Sequence, residues 1–298
     1  MSAIEPDAQP LAGLRPADSA VAGGQSTSHV RTGSASGASP RGRLRLWRWA
    51  SPLAVLVIWQ LSHVFKLTSE SKLPPPSSVA TTGYNLVVHP IPAFGSLQGA
   101  LAVSVERFAI GFGAGGTVAI LLALCAGLSR VGELTFDPLV QMIRMLPLFG
   151  LVPVFIIWFG IGTLPKVLLI ALAAAVPLYL NTYAGIRSID TRLYELGKVL
   201  RITRKELLLD IVLPGALPQA LVGLRQSLGA SLLALVVAEQ IAASAGLGFM
   251  INQAATFNRN DVIFVALFVY TMLGLLTDWI VRRLERRALA WRTDLVIR

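Results

Sequence analysis

The sequence has few charged residues and almost no cysteine. Only 14% of its 298 residues are Asp, Glu, Lys or Arg, whereas soluble domains carry about 25%. The mean hydropathy is +0.65, which is typical of a membrane protein. Cys125 is the single cysteine, so an intrachain disulfide is excluded. The three histidines, His29, His63 and His89, form no cluster at metal-ligand spacing, so no metal site is expected.

The excess of basic residues does not indicate a nucleic-acid partner. The formal net charge is +10, which on its own would suggest nucleic-acid binding. The arginines and lysines, however, flank apolar runs and form no face with interleaved aromatic residues. This placement favours a lipid membrane as the partner and argues against nucleic acid.

The sequence also lacks the motifs of a nucleotide-binding or catalytic protein. It has no phosphate-binding loop of the form G-x-x-x-x-G-K-[ST], so the chain does not hydrolyse ATP by that route. The run 111–116 fits G-x-G-x-x-G, but it lies in an apolar segment with no preceding strand. We therefore interpret Gly111 and Gly115 as a small-residue pair for helix contact. No apolar run carries paired His, paired carboxylates or a Ser/His/Asp set, which disfavours a membrane enzyme.

Hydropathy divides the chain into a tail and a membrane domain. Residues 1–40 are rich in Ala, Gly, Ser and Pro and predict a disordered cytoplasmic tail. Residues 41–298 predict an all-α, polytopic membrane domain, because each apolar run is long enough to cross the bilayer's hydrocarbon core of about 30 Å. We expect about six transmembrane helices, at 47–65, 103–128, 138–159, 166–186, 219–238 and 262–280. Two longer segments between them are expected on the outer side: a proline-rich connection at 66–95 and a segment at 241–261.

The positions of the basic residues predict the orientation. Arginines cluster at 41–48 before the first span and at 282–287 after the last, and most remaining basic residues lie in alternate loops. Because cytoplasmic loops carry an excess of Lys and Arg, we expect both termini in the cytoplasm.

The loop 191–214 is the largest polar segment between spans. It contains seven charged side chains up to Glu206, and a Lys or Arg at a span centre costs about 2.5–3.5 kcal/mol, so the loop must lie outside the bilayer. Four leucines recur at roughly helical spacing and form an apolar stripe: Leu193, Leu196, Leu200 and Leu207. We expect one or two short helices, ended by Pro214 and Pro218. The stripe predicts a soluble partner; the alternative is an interfacial helix bound only to lipid headgroups.

The same loop resembles the EAA loop of binding-protein-dependent ABC importer permeases. The family pattern is E-A-A, three residues, G, nine residues and I-x-L-P, and the spacing matches without a gap. Leu196 and Gly197 replace the two alanines, and Arg201 replaces the glycine that permits a tight turn. The resemblance implies that the loop docks on a cytoplasmic ATPase through these residues: Glu195, Leu196, Gly197, Arg201, Ile211, Leu213 and Pro214.

Further motifs narrow the resemblance to the aliphatic-sulfonate branch of this family. They lie at 213–218, 237–243 and 246–251, and taurine, nitrate and bicarbonate permeases share much of the pattern. The resemblance implies a type I ABC importer permease fold in the bacterial inner membrane. It also implies two ATPase subunits, an external substrate-binding protein and a second copy of this chain as a homodimer. No cofactor is expected on this chain, because the ATPase partner binds the ATP.

Four polar residues within or near the spans are candidates for the translocation pathway: Arg225, Glu239, Asn181 and Arg144. Intramembrane arginine is costly and usually faces the bundle interior or a water-filled path, and a guanidinium can bind a sulfonate through paired N–H donors. The alternatives are a cytoplasmic-side anchor or an internal ion pair for each arginine, for example with Glu239 or Asp137, and interhelical hydrogen bonding for Asn181.

An autonomous channel or secondary transporter is the rival class. It would predict inverted repeats or ionisable relay residues deep in several spans, and the sequence shows neither clearly. Sulfonates, taurine, nitrate and bicarbonate all remain possible substrates at this point.

Overall fold

The computed structural model describes residues 41–65, 69, 72–89 and 94–290. The chain divides into two compact units, Met1–Ala50 and Ser51–Arg298. The described part of the first unit is the start of helix α1. The predicted tail at 1–40 lies outside the described residues, so its disorder stays a prediction.

The described residues are mostly helical and form no strand, which confirms the all-α class. They form eleven α-helices, a 3-10 turn at Leu148–Gly150 and a π-helical segment at Leu207–Val212. The α-helices are α1 (Arg41–Val64), α2 (Pro76–Val88), α3 (Leu97–Leu128), α4 (Arg130–Met145), α5 (Leu151–Phe159), α6 (Thr163–Arg187), α7 (Thr191–Val199), α8 (Arg204–Glu206), α9 (Leu213–Ala242), α10 (Leu247–Thr256) and α11 (Asn260–Ala288).

Four helical runs in the described residues are long and apolar enough to cross a membrane: α3, α6, the run Arg204–Ile241 that contains α9, and α11. A fifth span results if α4 and the helical stretch Leu148–Phe159 are counted together. The predicted first span falls within α1, whose apolar part Leu53–Val64 is shorter than a span. The count of six therefore stays a prediction.

The span predicted at 138–159 is sharply bent in the structure. The chain bends by 81° between α4 and the stretch that ends with α5. Leu146 is extended, with φ −71° and ψ 135°, and Pro147 follows it. A proline clashes with an α-helical conformation of the residue before it, so the helix ends there.

The core of the bundle is formed where α3, α6 and α9 pack together. The glycines of α3 permit this close approach: a Cβ on Gly111 would lie 2.8 Å from the Ile170 Cβ, and one on Gly115 would overlap the Ala171 carbonyl oxygen. The interpretation of Gly111 and Gly115 as a helix-contact pair is confirmed.

Two helices occupy segments for which the sequence predicts only connections. Helix α2 lies in the proline-rich connection and packs on α11, where the Thr82 hydroxyl donates to Asp261 at 2.8 Å. Helix α10 lies in the predicted outer segment and packs against α9, α11 and α3. Its residues Leu247, Met250 and Ala254 are fully buried, so this segment is part of the core.

Candidate coupling loop and polar clusters of the bundle

The loop 191–214 is helical along most of its length. Asp190 begins α7 by accepting the Arg192 backbone N–H at 2.9 Å. Thr203 and Glu206 cap α8 reciprocally: the Glu206 N–H donates to the Thr203 hydroxyl, and the Thr203 N–H donates to the Glu206 carboxylate. From Arg204 to Ala242 the chain passes through α8, the π segment and α9 with no non-helical residue between them.

The prediction that Pro214 and Pro218 end the short helices is wrong. Pro214 lies in the first turn of α9, and Pro218 lies inside it. A helical proline removes an amide donor, and its ring presses on the carbonyl four residues earlier. The π turn just before Pro214 is wider, with the Leu213 N–H donating to the Leu208 carbonyl, and it gives the ring room. The coupling loop is therefore joined directly to a bundle helix.

Arg201 takes the backbone conformation for which the family pattern has glycine. Its φ is 52°, in the left-handed region that side chains rarely adopt. The Ile202 N–H donates to the Gly197 carbonyl at 3.1 Å, which is the bond that closes a helix end around such a residue. A Cβ on Gly197 would lie 3.0 Å from the Ile202 Cδ1, so Gly197 allows Ile202 to fold back onto α7.

An apolar contact attaches the loop to the bundle. Tyr194 of α7 and Leu208 of the π segment pack against a buried cluster of Ile186, Val212 and Ala216. Ile186 belongs to α6 and Ala216 to α9. The loop is therefore in direct contact with both helices.

The leucine stripe of α7 faces away from the bundle. Leu193, Leu196 and Leu200 are 45%, 55% and 66% exposed, and Val199 between them is 81% exposed. Glu195 and Leu207 line a cleft of about 530 Å³ beside this stripe. Apolar side chains exposed together on a polar segment mark a surface for another protein.

A polar cluster joins the C-terminal end of α6 to α4. The Glu133 carboxylate accepts from the Tyr183 hydroxyl at 3.0 Å and from the Arg187 guanidinium at 2.6 Å. Arg187 also lines the cleft beside α7. The coupling loop is thus connected to the bent α4–α5 unit as well as to α6 and α9.

Among the pathway candidates, Arg225 pairs with a residue that sequence reasoning missed. Its Nε donates to the Asp278 carboxylate of α11 at 2.9 Å, and Arg282 binds the same carboxylate. Neither Glu239 nor Asp137 is its partner. Asp278 lies inside an apolar helix, one turn before the terminal arginines. A carboxylate at such a position is the sequence signal that indicates a basic partner within the bundle.

Asn181 belongs to a cluster of neutral amides between α6 and α9. It donates to Gln226 at 2.9 Å and to the Pro177 carbonyl at 2.8 Å, and it accepts from Gln219 at 3.1 Å. Gln219 and Gln226 are exposed in this chain. Arg144 is also exposed and lies in the last turn of α4, next to the bend. The structure does not bring Arg144 to the amide cluster or to Arg225.

Glu239 of α9 is fully buried and is bound by three other helices of the bundle. Its carboxylate pairs with Arg107 of α3 at 2.7 Å. Ser104, Tyr270 and the Gly248 backbone N–H also donate to it. α3, α10 and α11 are therefore held to α9 at one carboxylate.

Comparison with known proteins identifies the family. Residues 115–289 match the family described as the inner membrane component of binding-protein-dependent transport systems. The chain belongs to this family. The match begins in α3, includes the whole coupling loop and ends after α11.

Two relatives in this family are similar over most of their length. The putative aliphatic sulfonates transport permease SsuC of Bacillus subtilis (strain 168) is 39% identical over 243 residues, which cover 82% of this chain and 86% of the relative. SsuC of Escherichia coli (strain K12) is 40% identical over 248 residues, which cover 83% of this chain and 92% of the relative.

A solved structure supports the fold of this transport component. A crystal structure of an amino acid ABC transporter is 18% identical, with a TM-score of 0.56, and the match covers 70% of this chain and 97% of that one. The ABC importer permease fold is thereby confirmed. Family membership also confirms that the chain is an integral inner-membrane component of a transporter and is not a catalytic subunit.

Replacing Arg201 with glycine should stabilise the end of α7. Glycine adopts a positive φ without the steric cost of about 1–2 kcal/mol, although it loses roughly 0.5–1 kcal/mol of unfolded-state entropy. We expect a net gain of about 0.5–1 kcal/mol, measured as roughly two- to fivefold slower hydrogen exchange in α7. Arg201→Ala, which keeps the Cβ, is the control and should not slow exchange. Equal exchange in the glycine and alanine variants would contradict the assignment of strain.

Proposed function

We propose that this chain is the permease subunit of an ATP-driven importer of aliphatic sulfonates. The observation that carries the proposal is the exposed leucine stripe of α7, on a polar loop that continues into a bundle helix. In a transport component without an ATP-binding motif, such a surface fits a soluble ATPase that supplies the energy. The interfacial-helix alternative is disfavoured because the loop is anchored by Tyr194 and Leu208 and not only by lipid contact.

The geometry supports a rigid-body mechanism. When the ATPase closes on ATP, it displaces the surface formed by Leu193, Leu196 and Leu200. The unbroken helical run from Arg204 passes the displacement to α9, and the packing of Tyr194 passes it to α6. The Arg187–Glu133 pair extends it to α4. Tilting these helices together opens the pathway to alternate sides of the membrane.

The proposed assembly contains two copies of this chain, two ATPase subunits and an external substrate-binding protein. The ATPase subunits bind the ATP, so this chain needs no cofactor. Both termini and the coupling loop lie in the cytoplasm. The basic residues at the end of α11 and within the loop support this orientation, since cytoplasmic segments are enriched in Lys and Arg.

We place the pathway beside the exposed amides of α9. Gln219 and Gln226 are too polar for lipid contact within a span, so their exposed side chains face water or the second copy. Neutral amides can hydrogen-bond an oxyanion without trapping it. Sulfonates are favoured because both reported relatives bear that name; taurine, nitrate and bicarbonate are the alternatives that the transport assay separates.

Uptake by the reconstituted complex tests the coupling surface. In proteoliposomes containing the chain, its ATPase and its binding protein, we expect ATP-dependent uptake of radiolabelled ethanesulfonate. Leu196→Glu places a charge in the docking surface and should reduce uptake and ATPase co-purification at least tenfold. Arg204→Ala, an exposed change on neighbouring α8, is the matched control and should leave both nearly intact.

Two results would contradict the proposal. Uptake without ATP would indicate a channel or secondary transporter, and full activity of Leu196→Glu would remove the coupling role of α7. If taurine, nitrate or bicarbonate is transported in place of ethanesulfonate, the transporter class holds and the sulfonate assignment is wrong.

Arg225 should contribute an anion contact in addition to its ion pair. The Asp278 contact uses Nε, which leaves the two Nη groups of the guanidinium for a passing anion. We expect Arg225→Gln to lower sulfonate uptake about tenfold while ATPase co-purification is unchanged.

The double variant Arg225→Gln/Asp278→Asn separates the two roles of Arg225. It removes both charges and restores electrical balance, so it should remain impaired if the arginine contacts the anion. Recovery of uptake in the double variant would show that pairing with Asp278 is the only role of Arg225.

A further inference from the structure

The carboxylate of Glu239 is surrounded as a bound anion would be. One oxygen accepts from the Arg107 Nη1 at 2.7 Å. The other accepts from the Ser104 hydroxyl at 2.7 Å, the Tyr270 hydroxyl at 3.0 Å and the Gly248 N–H at 3.0 Å. A guanidinium, two hydroxyls and an amide at a helix start are the donors that proteins use for oxyanions.

The backbone at the start of α10 is shaped around this carboxylate. Gly246 has a φ of 118°, and a Cβ there would overlap the Glu239 carboxylate oxygens. A Cβ on Gly248 would lie 2.5 Å from the Glu239 Cβ. The Leu247 N–H donates to the Ser104 hydroxyl at 2.9 Å, which orients that hydroxyl toward Glu239. Any side chain at either glycine would therefore displace α10 from the carboxylate.

Arg107 adds a second, independent indication of an anion site. Its side chain is more than nine-tenths buried, and its Nη1 also donates to the Ala245 carbonyl at 2.6 Å. Its Nε is buried and has no hydrogen-bond partner within the described part of the chain. Buried polar donors are seldom left unused. The cluster thus contains one N–H donor, the Arg107 Nε, from which the Glu239 carboxylate does not accept a hydrogen bond.

We propose that Arg107, Ser104, Tyr270 and the first amides of α10 form an oxyanion cradle whose built-in ligand is the Glu239 carboxylate. In this conformation the carboxylate latches α10 onto α3, α9 and α11. Glu239 is thereby a positioning residue for α10 and does not itself line the pathway. Small carboxylates and sulfonates are the ligands that fit the cradle when Glu239 is truncated. The inference concerns the position of α10 and does not depend on which solute is transported.

Cysteine labelling of α10 in membranes tests the latch. Cys125→Ser removes the native thiol, and Ala254→Cys places a reporter at a fully buried position of α10. In the full-length chain we expect a water-soluble maleimide to label this reporter at least ten times faster after Glu239→Ala. Sodium formate, and separately sodium methanesulfonate, should slow the labelling again in a saturable manner. Sodium chloride and neutral formamide should not.

Three matched variants distinguish the cradle from simple packing. Glu239→Leu fills the space without charge and should label fast with no response to formate. Glu106→Ala removes an exposed carboxylate one residue from Arg107 and should change nothing. If Glu239→Ala does not accumulate in membranes, Ser104→Ala and Tyr270→Phe each remove one donor and should both accelerate labelling.

The proposal is overturned if Glu239→Ala leaves the labelling rate unchanged. It is also overturned if formate and methanesulfonate have no effect, or if chloride and formamide slow labelling equally. When only the single-donor variants can be measured, unchanged labelling in both overturns it.

Discussion

The cost of placing charge in hydrocarbon constrains this protein more than any other interaction. The loop 191–214 is too polar to enter the bilayer, yet it is joined without a break to α9. Two ion pairs join helices of the bundle: Arg225 with Asp278, and Arg107 with Glu239. Removing one member of a buried pair costs about 3–5 kcal/mol because the other charge is left uncompensated. The same constraint therefore places the coupling surface outside the membrane and fixes helix positions within it.

The direct connection between the loop and the bundle suits the proposed coupling to a soluble ATPase. A flexible linker would absorb the displacement, whereas the π segment and α9 form a continuous helical run from Arg204 onward. The π turn just before Pro214 resolves the conflict between helix continuity and the missing amide. Tyr194 and the Arg187–Glu133 pair also connect α6 and α4 to this run. The loop adjoins the N-terminal end of α9, and Glu239 binds α10 near the C-terminal end. The two ends of α9 are therefore held by different contacts.

The sequence predicts much of this arrangement because some patterns have few physical solutions. Long apolar runs must be membrane helices, and Gly111 and Gly115 at a spacing of one helical turn predict the contact with α6 that the structure shows. The spacing of Glu195, Ile211 and Pro214 predicts the family, which the comparisons confirm.

Other features depend on contacts that are remote in sequence. Helix α10 begins in a run of small residues, 242–248, that resembles a loop, and its start is held by Glu239, Ser104 and α11. Asp278 and Arg107 look like ordinary charges near helix ends until their partners are known. Pro214 and Pro218 suggest helix ends, because local rules do not anticipate a π turn.

The proposed coupling requires that the loop 191–214 faces the cytoplasm, and labelling from one side of the membrane tests this directly. Val199 is among the most exposed residues of the loop, so Val199→Cys in a Cys125→Ser background gives an accessible thiol. A membrane-impermeant maleimide should leave this thiol unmodified in intact cells with a permeabilised outer envelope and should modify it in inverted inner-membrane vesicles. Rapid modification in the intact cells would place the loop outside and contradict the account.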